Sequence, residues 1–494
     1  MNVQVKPNIP LNTGKPSELR DYIAMIERDH PKEILRIKDE IDPAKFEATA
    51  ILANLEEKGI NPMVLFERPI NQLGKVSPFP LITNIYSSRR RDALALGLRA
   101  DQDRIDLSIE YARREQRRVP PVRMASADAP VKQVIKVGEE VDLRELPIVR
   151  HHRMDPAPYI DMAPIMRDPE MGHYNIAFLR MMYKGPRKLG IHMSPRHNWQ
   201  MCRKNELKNQ PTPTAIIVSH HPAFFLGSLN VAPFGTDDYE VLGAMMNEPI
   251  RLVPSQTWGE DFMVPADAEM IIEGEIPPNV REVEGPFGEF PGTYGPQRLR
   301  WIIDVKAMTH RKNAIYQDIF VGHADDWVMG AIPKEGALYN RIKGVVPGVK
   351  AVHLPNSGVG RFNCYISIDK RVDGESKQAA FIALGEVDFV KNVIVVDGDI
   401  DPYNEQEVMY AIATRTQADQ DVDIIKNVKG NTLDPSQTDD IMTAKMIIDA
   451  TRPMKRPFST RLDVPAEVRA RFRSRSISSR GRWGPINNRP DRPL

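Results

Sequence analysis

Val283-Glu284-Gly285-Pro286-Phe287-Gly288-Glu289-Phe290-Pro291-Gly292 sets a carboxylate on either side of a Gly-Pro turn. Pro286 and Gly288 suit the second and fourth positions of a type I turn, so Glu284 and Glu289 are expected to approach one another. Close carboxylates repel, and burial raises the pKa of one of them. Such a pair is suited to donate a proton near neutral pH. The plain alternative is two solvated loop acids, and the segments around the turn bear on that choice.

Upstream, Arg180 closes an otherwise apolar strand, Asn175-Ile176-Ala177-Phe178-Leu179-Arg180. A guanidinium there needs a partner, and Glu284 is the expected one. The alternative is a strand-end arginine reaching solvent. Residues five apart on a regular strand face opposite ways, so joint use of Asn175 and Arg180 requires a bulge. Gly190-Ile191-His192-Met193-Ser194-Pro195-Arg196-His197 follows. Asn175, a histidine and a carboxylate form an oxygen-rich set that suits Mn²⁺ or Mg²⁺ bridging a phosphate, not structural zinc. After Gly227-Ser228-Leu229-Asn230 come Asp237, Asp238 and Glu240 at a helix start, where negative charge offsets the macrodipole. Gly374-Glu375-Ser376-Lys377 starts another helix, whose N–H groups and Lys377 suit a phosphate, with a solvated lysine as the plainer reading. His151-His152 and His220-His221 are adjacent pairs; strand neighbours point apart, so neither is a natural chelate. The chain has neither a P-loop nor a GxGxxG fingerprint.

The first 120 or so residues alternate helix and strand. Ser17 is placed to cap a helix carrying Leu19, Tyr22, Ile23 and Ile26, and Asp42-Pro43 opens a second helix ending near Gly59. Strand-like runs follow at Met63–Phe66 and Leu81–Tyr86. From 121 to 313 the pattern is of short β-rich runs broken by Pro and Gly, which predicts a barrel-like domain. From 314 to 460 helix and strand alternate again, with Val390–Val396 as a buried strand. Glu405–Thr416 follows as a helix with Val408, Ile412 and Ala413 in the core. Residues 461–494 form an Arg-rich tail: from Arg469 onward there are eight arginines and one acid. Charge alone supports polyanion binding there, and a solvated or subunit-wrapping end is the expected role.

Composition selects no special partner. The 494 residues carry a net charge of +1, with 41% hydrophobic residues, so nucleic acid is not an expected ligand. Two cysteines, Cys202 and Cys364, give no disulfide framework, and a cytoplasmic location is expected. No apolar run approaches 18 residues, so a membrane span is not expected.

Taken in order, these segments resemble the UbiD family of decarboxylases across about residues 17–455. The resemblance rests on the Asn-x4-Arg strand, the Gly-Ile-His to Arg-His segment, the Gly-Ser loop, the acid-led helix ending in Gly243-Ala244, and Glu284–Glu289. Val395–Asp401 adds a late acidic stretch. The resemblance implies an α/β fold: an N-terminal α/β domain, a central split β-barrel for flavin, and a C-terminal α/β domain for dimerisation. It implies prenylated FMN supplied by a separate flavin prenyltransferase, with Mn²⁺ (or Mg²⁺) and K⁺ on its phosphate, and a homodimer or homohexamer. Carried over by position, Arg180, Glu284 and Glu289 resemble the family's catalytic network, with Glu289 as proton donor. Asn175, His197 and a carboxylate resemble the metal ligands, and Ile176, Ala177, Arg180, Arg196, His197, Ser228 and Lys377 fall at the cofactor. The family's carboxylate ligand is usually Glu; here the count gives Asp238, with Glu240 as the alternative. Gly398 also stands where Asp is usual. The implied activity is reversible, non-oxidative decarboxylation of an aromatic, heteroaromatic or α,β-unsaturated carboxylic acid, with CO₂ as co-product. The other readings are a non-catalytic flavin-binding protein with a polyanion-binding tail and, last, a metal-dependent hydrolase using Asp238, His197 and Glu289.

Overall fold

Helix α1 (Leu19–Asp29) buries Leu19, Tyr22, Ile23 and Ile26 on the stripe that the sequence marks. In the computed structural model, which describes residues 11–12, 14–437 and 442–473, its N-cap is Glu18, not Ser17. Ser17 instead turns its backbone N–H (2.9 Å) and hydroxyl (3.4 Å) to Glu248, a long-range acceptor that displaces local capping. Strand β1 (Ile34–Ile41) follows. Asp42 and Pro43 start only a single 3₁₀ turn; Phe46, with φ 68°, breaks it before α2 (Glu47–Glu57) begins. Strand β2 (Met63–Pro69) pairs parallel with β1, and β3 (Leu81–Thr83) pairs antiparallel with β2. β3 is shorter than expected, because Asn84 leaves the strand with φ 61°. Tyr316–Gln317 later returns to complete this sheet beside β3. Helix α3 (Ile105–Glu115) ends the region.

The barrel is built from β4 (Tyr159–Arg167), β5 (Tyr174–Ile176), β6 (Leu179–Gly185), β7 (Lys188–Ile191), β8 (Thr212–Ser219), β9 (Met270–Ile276) and the long β12 (Arg298–His310). Its order is β8–β9–β12–β7–β6–β4, and β4 pairs back with β8 to close it. The short strands β10 (Glu282–Glu284) and β11 (Phe287–Gly288) carry the carboxylate turn; β10 lies on β12. Helices α4 (His197–Leu207) and α5 (Asp238–Met246) bring the remaining polar residues to the site. Buried side chains from the N-terminal region and the barrel form one continuous apolar core.

Helix α6 (Ala324–Val345) leads to a five-stranded sheet. Its strands, in spatial order, are β13 (Val349–His353), β14 (Asn363–Ile368), β15 (Asn392–Asp397), β17 (Met442–Ala450) and β16 (Val422–Lys429). Helices α7 (Glu375–Glu386) and α8 (Glu405–Arg415) accompany it. On α8 the buried positions are Val408, Ala411 and Arg415; the expected core residue Ala413 is exposed, since the buried face turns towards Arg415. Arg415 is drawn inward by Asp397 (2.5 Å) and Asp399 (2.8 Å), so the late acidic stretch serves an ion network. A Cβ at Gly398 would overlap the Asp369 carboxylate, which accounts for glycine there.

Arg452 onward forms a second unit, in which Ala466–Arg473 is helical. From residue 474 the expected Arg-rich tail lies outside the described residues. Among the described residues no helix is long and apolar enough to cross a membrane.

Candidate active site

Arg180 lies on β6, opposite Asp161 of β4. Its guanidinium grips Glu284 through Nε–Oε1 (2.9 Å) and Nη2–Oε2 (3.0 Å), and its Nη1 reaches Glu289 Oε1. Glu284 is fully buried, whereas the Glu289 side chain keeps 13% exposure and lines a cavity of about 240 Å³. The two acids therefore meet through a shared cation. Their repulsion is offset by a planar donor that matches carboxylate geometry. The type I turn is not formed. The Gly285–Pro286 peptide is cis, and Phe287–Gly288 instead pairs with Tyr294–Gly295. Phe287 lies under the Arg180 guanidinium, 4.9 Å from its ring centre. Gly288 donates its N–H to Asp155 (3.1 Å) and packs against His152, with no room for a Cβ.

His192 sits behind the pair. Arg300 Nε donates to its Nδ1 (2.9 Å), and Glu284 lies 3.9 Å away. Burial first, then the Arg180 and Arg300 charges, push its pKa down to about 2, so it is a neutral imidazole.

The strand carrying Asn175 and Arg180 breaks after Ile176 and resumes at Leu179. That break supplies the irregularity that joint use of the two requires. Asn175 Oδ1 lies 3.0 Å from His197 Nδ1, and its Nδ2 donates to Asn198 (2.7 Å). Asp238, the first residue of α5, accepts the Ile176 N–H (2.7 Å) and Asn230 Nδ2 (2.9 Å). Burial pushes its pKa up to about 7. Asn175, His197 and Asp238 thus gather along one short stretch. Among the described residues, no hydrogen bond ties the Glu240 side chain to them. Asn198 and Asn230, which hold two of these groups, were not singled out from the sequence, although each sits in or beside a quoted motif.

Other expected contacts are dispersed. Ala177 lies in the strand break, its N–H 3.5 Å from Pro164 O. Ser228 is buried, with its hydroxyl donated to Phe225 O (2.7 Å). Arg196 is 60% exposed, 3.4 Å from Asp388 and above the Phe389 ring. Lys377, on the first turn of α7, pairs with Asp423 (2.9 Å) and does not join the Arg180 cluster.

A third group went unread. His151 Nε2 is 2.8 Å from Asp318, and its Nδ1 is 3.2 Å from Asp161, which also lines the cavity. Burial pulls the imidazole pKa down, but Asp318 and Asp161 outweigh it and hold it well above the ordinary histidine range. Both ring nitrogens face carboxylates, the arrangement of a buried imidazolium. His152, which like His151 lies in the loop before β4 and not in a strand, points elsewhere, 3.0 Å from Val321 O.

Three family models match in succession: the N-terminal domain of 3-octaprenyl-4-hydroxybenzoate carboxy-lyase over residues 27–108, its Rift-related domain over 122–324, and its C-terminal domain over 327–450. A phenolic acid decarboxylase of Sedimentibacter hydroxybenzoicus is 33% identical, covering 88% of this chain and 92% of its own. An anhydromevalonate phosphate decarboxylase of Methanothermobacter thermautotrophicus is 32% identical, covering 86% and 95%. Among solved structures, the UbiD-class enzyme HmfF from Pelotomaculum thermopropionicum in complex with FMN superposes with a TM-score of 0.84. The identity is 36%, over 92% of this chain and 98% of that one. An evolved dimeric form of the same enzyme, in complex with prenylated FMN, gives 0.82 at 35%, over 91% and 98%. With relatives above 30% identity along nearly its whole length and all three domains in register, the chain belongs to the UbiD family of carboxy-lyases.

Proposed function

We propose that the protein catalyses reversible, non-oxidative decarboxylation of an aromatic, heteroaromatic or α,β-unsaturated carboxylic acid with prenylated FMN as cofactor. The observation that carries this reading is the Arg180–Glu284–Glu289 cluster, which sets one acid at the wall of a largely apolar cavity. The residues present suit the cofactor. Phe178, Leu179, Phe287 and Ile319 offer flat, apolar walls to a ring system. The Asn175 Oδ1 and Asp238 carboxylate oxygens, with the His197 imidazole, offer a donor set for Mn²⁺ or Mg²⁺ on a phosphate, with K⁺ as further counter-charge. Ile176, Ala177, Arg180, Arg196 and Ser228 are assigned to flavin contacts, and Glu240 is held as the alternative ligand. Lys377 keeps only its sequence argument. Prenylated FMN, when bound, supplies the electron sink for loss of CO₂.

The chain supplies position and the proton. The apolar walls exclude water and orient the acid. Glu289, in its protonated form, gives its proton to the carbon that lost CO₂ and regains one from solvent; in the reverse direction its carboxylate removes that proton. Arg180, fixed by Glu284 on two nitrogens, holds Glu289 in place through the third. Neutral His192 adds no cation that would compete with Arg180 for Glu284. The reading extends to a cytoplasmic homodimer or homohexamer, joined through the C-terminal domain and supplied by a flavin prenyltransferase.

The test is protein co-produced with a flavin prenyltransferase and given Mn²⁺ and K⁺. Mass spectrometry of the released small molecule is expected to show prenylated FMN. Glu289→Gln is expected to lower CO₂ release by at least about 100-fold at equal cofactor loading. Near-wild-type turnover would remove Glu289 from the proton-transfer step.

A further inference from the structure

Two guanidiniums line the cavity, and they differ in how fully carboxylates engage them. Arg180 spends Nε, Nη1 and Nη2 on Glu284 and Glu289. Arg361 lies over Phe290, 4.5 Å from the ring centre. Among the described residues its bonds are Nη2 to Asp326 (2.8 Å) and a long one from Nη1 to Val359 O (3.5 Å). A guanidinium has five N–H donors, so Arg361 retains free ones in a wall of the cavity.

The position is built. Arg361 crosses α6 at Gly330, where a Cβ would overlap the guanidinium. One turn further on, Lys334 Nζ donates to Gly330 O (2.8 Å) and lies 5.9 Å from the ring centre of Phe389, another wall of the cavity. Lys334 has no carboxylate within ion-pair distance among the described residues. Burial first, then Arg361 and Arg196, push its ammonium well below the ordinary lysine range, with Asp326 and Asp388 opposing. Burial therefore favours the neutral amine at Lys334, Arg361 and Arg196 are paired with Asp326 and Asp388, and the unused N–H donors of Arg361 are what this wall offers an anionic ligand.

We propose that the substrate carries a second anionic group, a carboxylate or a phosphate, that docks on Arg361 while the carboxylate to be lost lies beside Glu289. This rests on the decarboxylase reading and narrows its substrate class to doubly anionic acids. The names of the relatives do not choose for this chain, since they include both phenolic acids and a phosphate-bearing acid. The donor count at Arg361 does: with Asp326 taking one edge of the guanidinium, its unused N–H groups face an apolar slot, where a second anion accepts a charge-assisted bond that a neutral hydroxyl does not match.

The experiment uses holoenzyme and four probes: benzoate, para-hydroxybenzoate, terephthalate and para-phosphonooxybenzoate. Binding is measured by calorimetry and CO₂ release in parallel. At least one doubly anionic probe is expected to bind about tenfold or more tighter than the two singly charged ones. The tighter of the two identifies the second anion as carboxylate or phosphate. In Arg361→Gln that ratio is expected to fall to within about twofold, with Arg361→Lys intermediate. Gly330→Ala is expected to lower the ratio by displacing Arg361. Each ratio is taken within one preparation, so partial misfolding cancels. Equal binding of all probes, failure of both doubly anionic probes to bind, or a ratio that survives Arg361→Gln overturns the proposal. CO₂ release without preference for the doubly anionic probes would do the same and leave the decarboxylase reading intact. Selective binding without CO₂ release from any probe would keep the anion site and remove these benzoates as substrates.

Discussion

Arg180 and His151 are both cations placed between two carboxylates beside one cavity, and they differ in whether the charge can be switched off. Arg180 joins Glu284 and Glu289; His151 joins Asp161 and Asp318. A guanidinium stays protonated at any working pH and presents a rigid fork, so it fixes two acids in space without itself exchanging protons. An imidazolium carries a proton that its carboxylates stabilise but that pH can remove. The difference assigns roles. The permanent charge is paired with the acid proposed to transfer a proton, and the removable one stabilises the barrel wall next to it.

The comparison is broken most severely at Arg180. Arg180→Met leaves Glu284 fully buried without its cation and Glu289 without its anchor. Removing one partner of a buried pair costs about 3–5 kcal/mol, readable as a lower urea midpoint. CO₂ release at equal cofactor loading is expected to drop by at least about 100-fold, because the acid is no longer positioned. A variant that folds within about 1 kcal/mol of wild type and turns over normally would show that the fork is ornamental.

What the sequence allowed to be read separates along the same line. Arg180 and Glu284 were legible because a charge inside an apolar strand demands a partner, and the carboxylate turn was the obvious one. The alternation of helix and strand marked both α/β regions, and the short Pro-broken runs marked the barrel. Closure of that barrel by β4 on β8 is a long-range pairing that no local pattern carries. The same holds for His151, whose partners come from β4 and from the segment after the barrel. Strand alternation was the wrong ground for setting His151 and His152 apart, since both lie in the loop before β4, and it said nothing of what each would meet. Arg361 was invisible for a further reason: its place depends on the missing side chain of Gly330, in a helix contributed by another segment. Local rules also failed where distant groups outbid them, as when Glu248 took Ser17 from its expected cap. The turn type failed because proline isomer is not written in the residues around it.

A smaller effect, and one with a distinctive pH signature, is expected at His151. Its pKa in the fold is above the ordinary 6.5, so taken alone its contribution to stability would be complete below about 6.5 and lost as pH rises towards the folded value. Protonation of Asp161 below about 6 removes the attraction at the acid end, so the contribution is largest above about 6. Asp161 behaves as its coupled partner: burial raises it to about 6 from 3.8, so the folded state holds extra proton between those values. Asp318 is raised as well, again mainly by burial; Asp155 is the nearby further carboxylate, and burial and the His151 charge push the pKa of the neighbouring His152 down. In His151→Gln the two aspartates lose their cation, and their pKa values rise further. At pH 5 they take up protons and need no counter-charge, so the variant is only mildly destabilised. At pH 7 one or both must be buried as anions, and the cost approaches the lower end of about 3–5 kcal/mol. Urea unfolding of wild type and variant at the two pH values reads this directly. A cost that is the same at pH 5 and pH 7 would mean that His151 is not held as an imidazolium, and the contrast with Arg180 would reduce to one of shape alone.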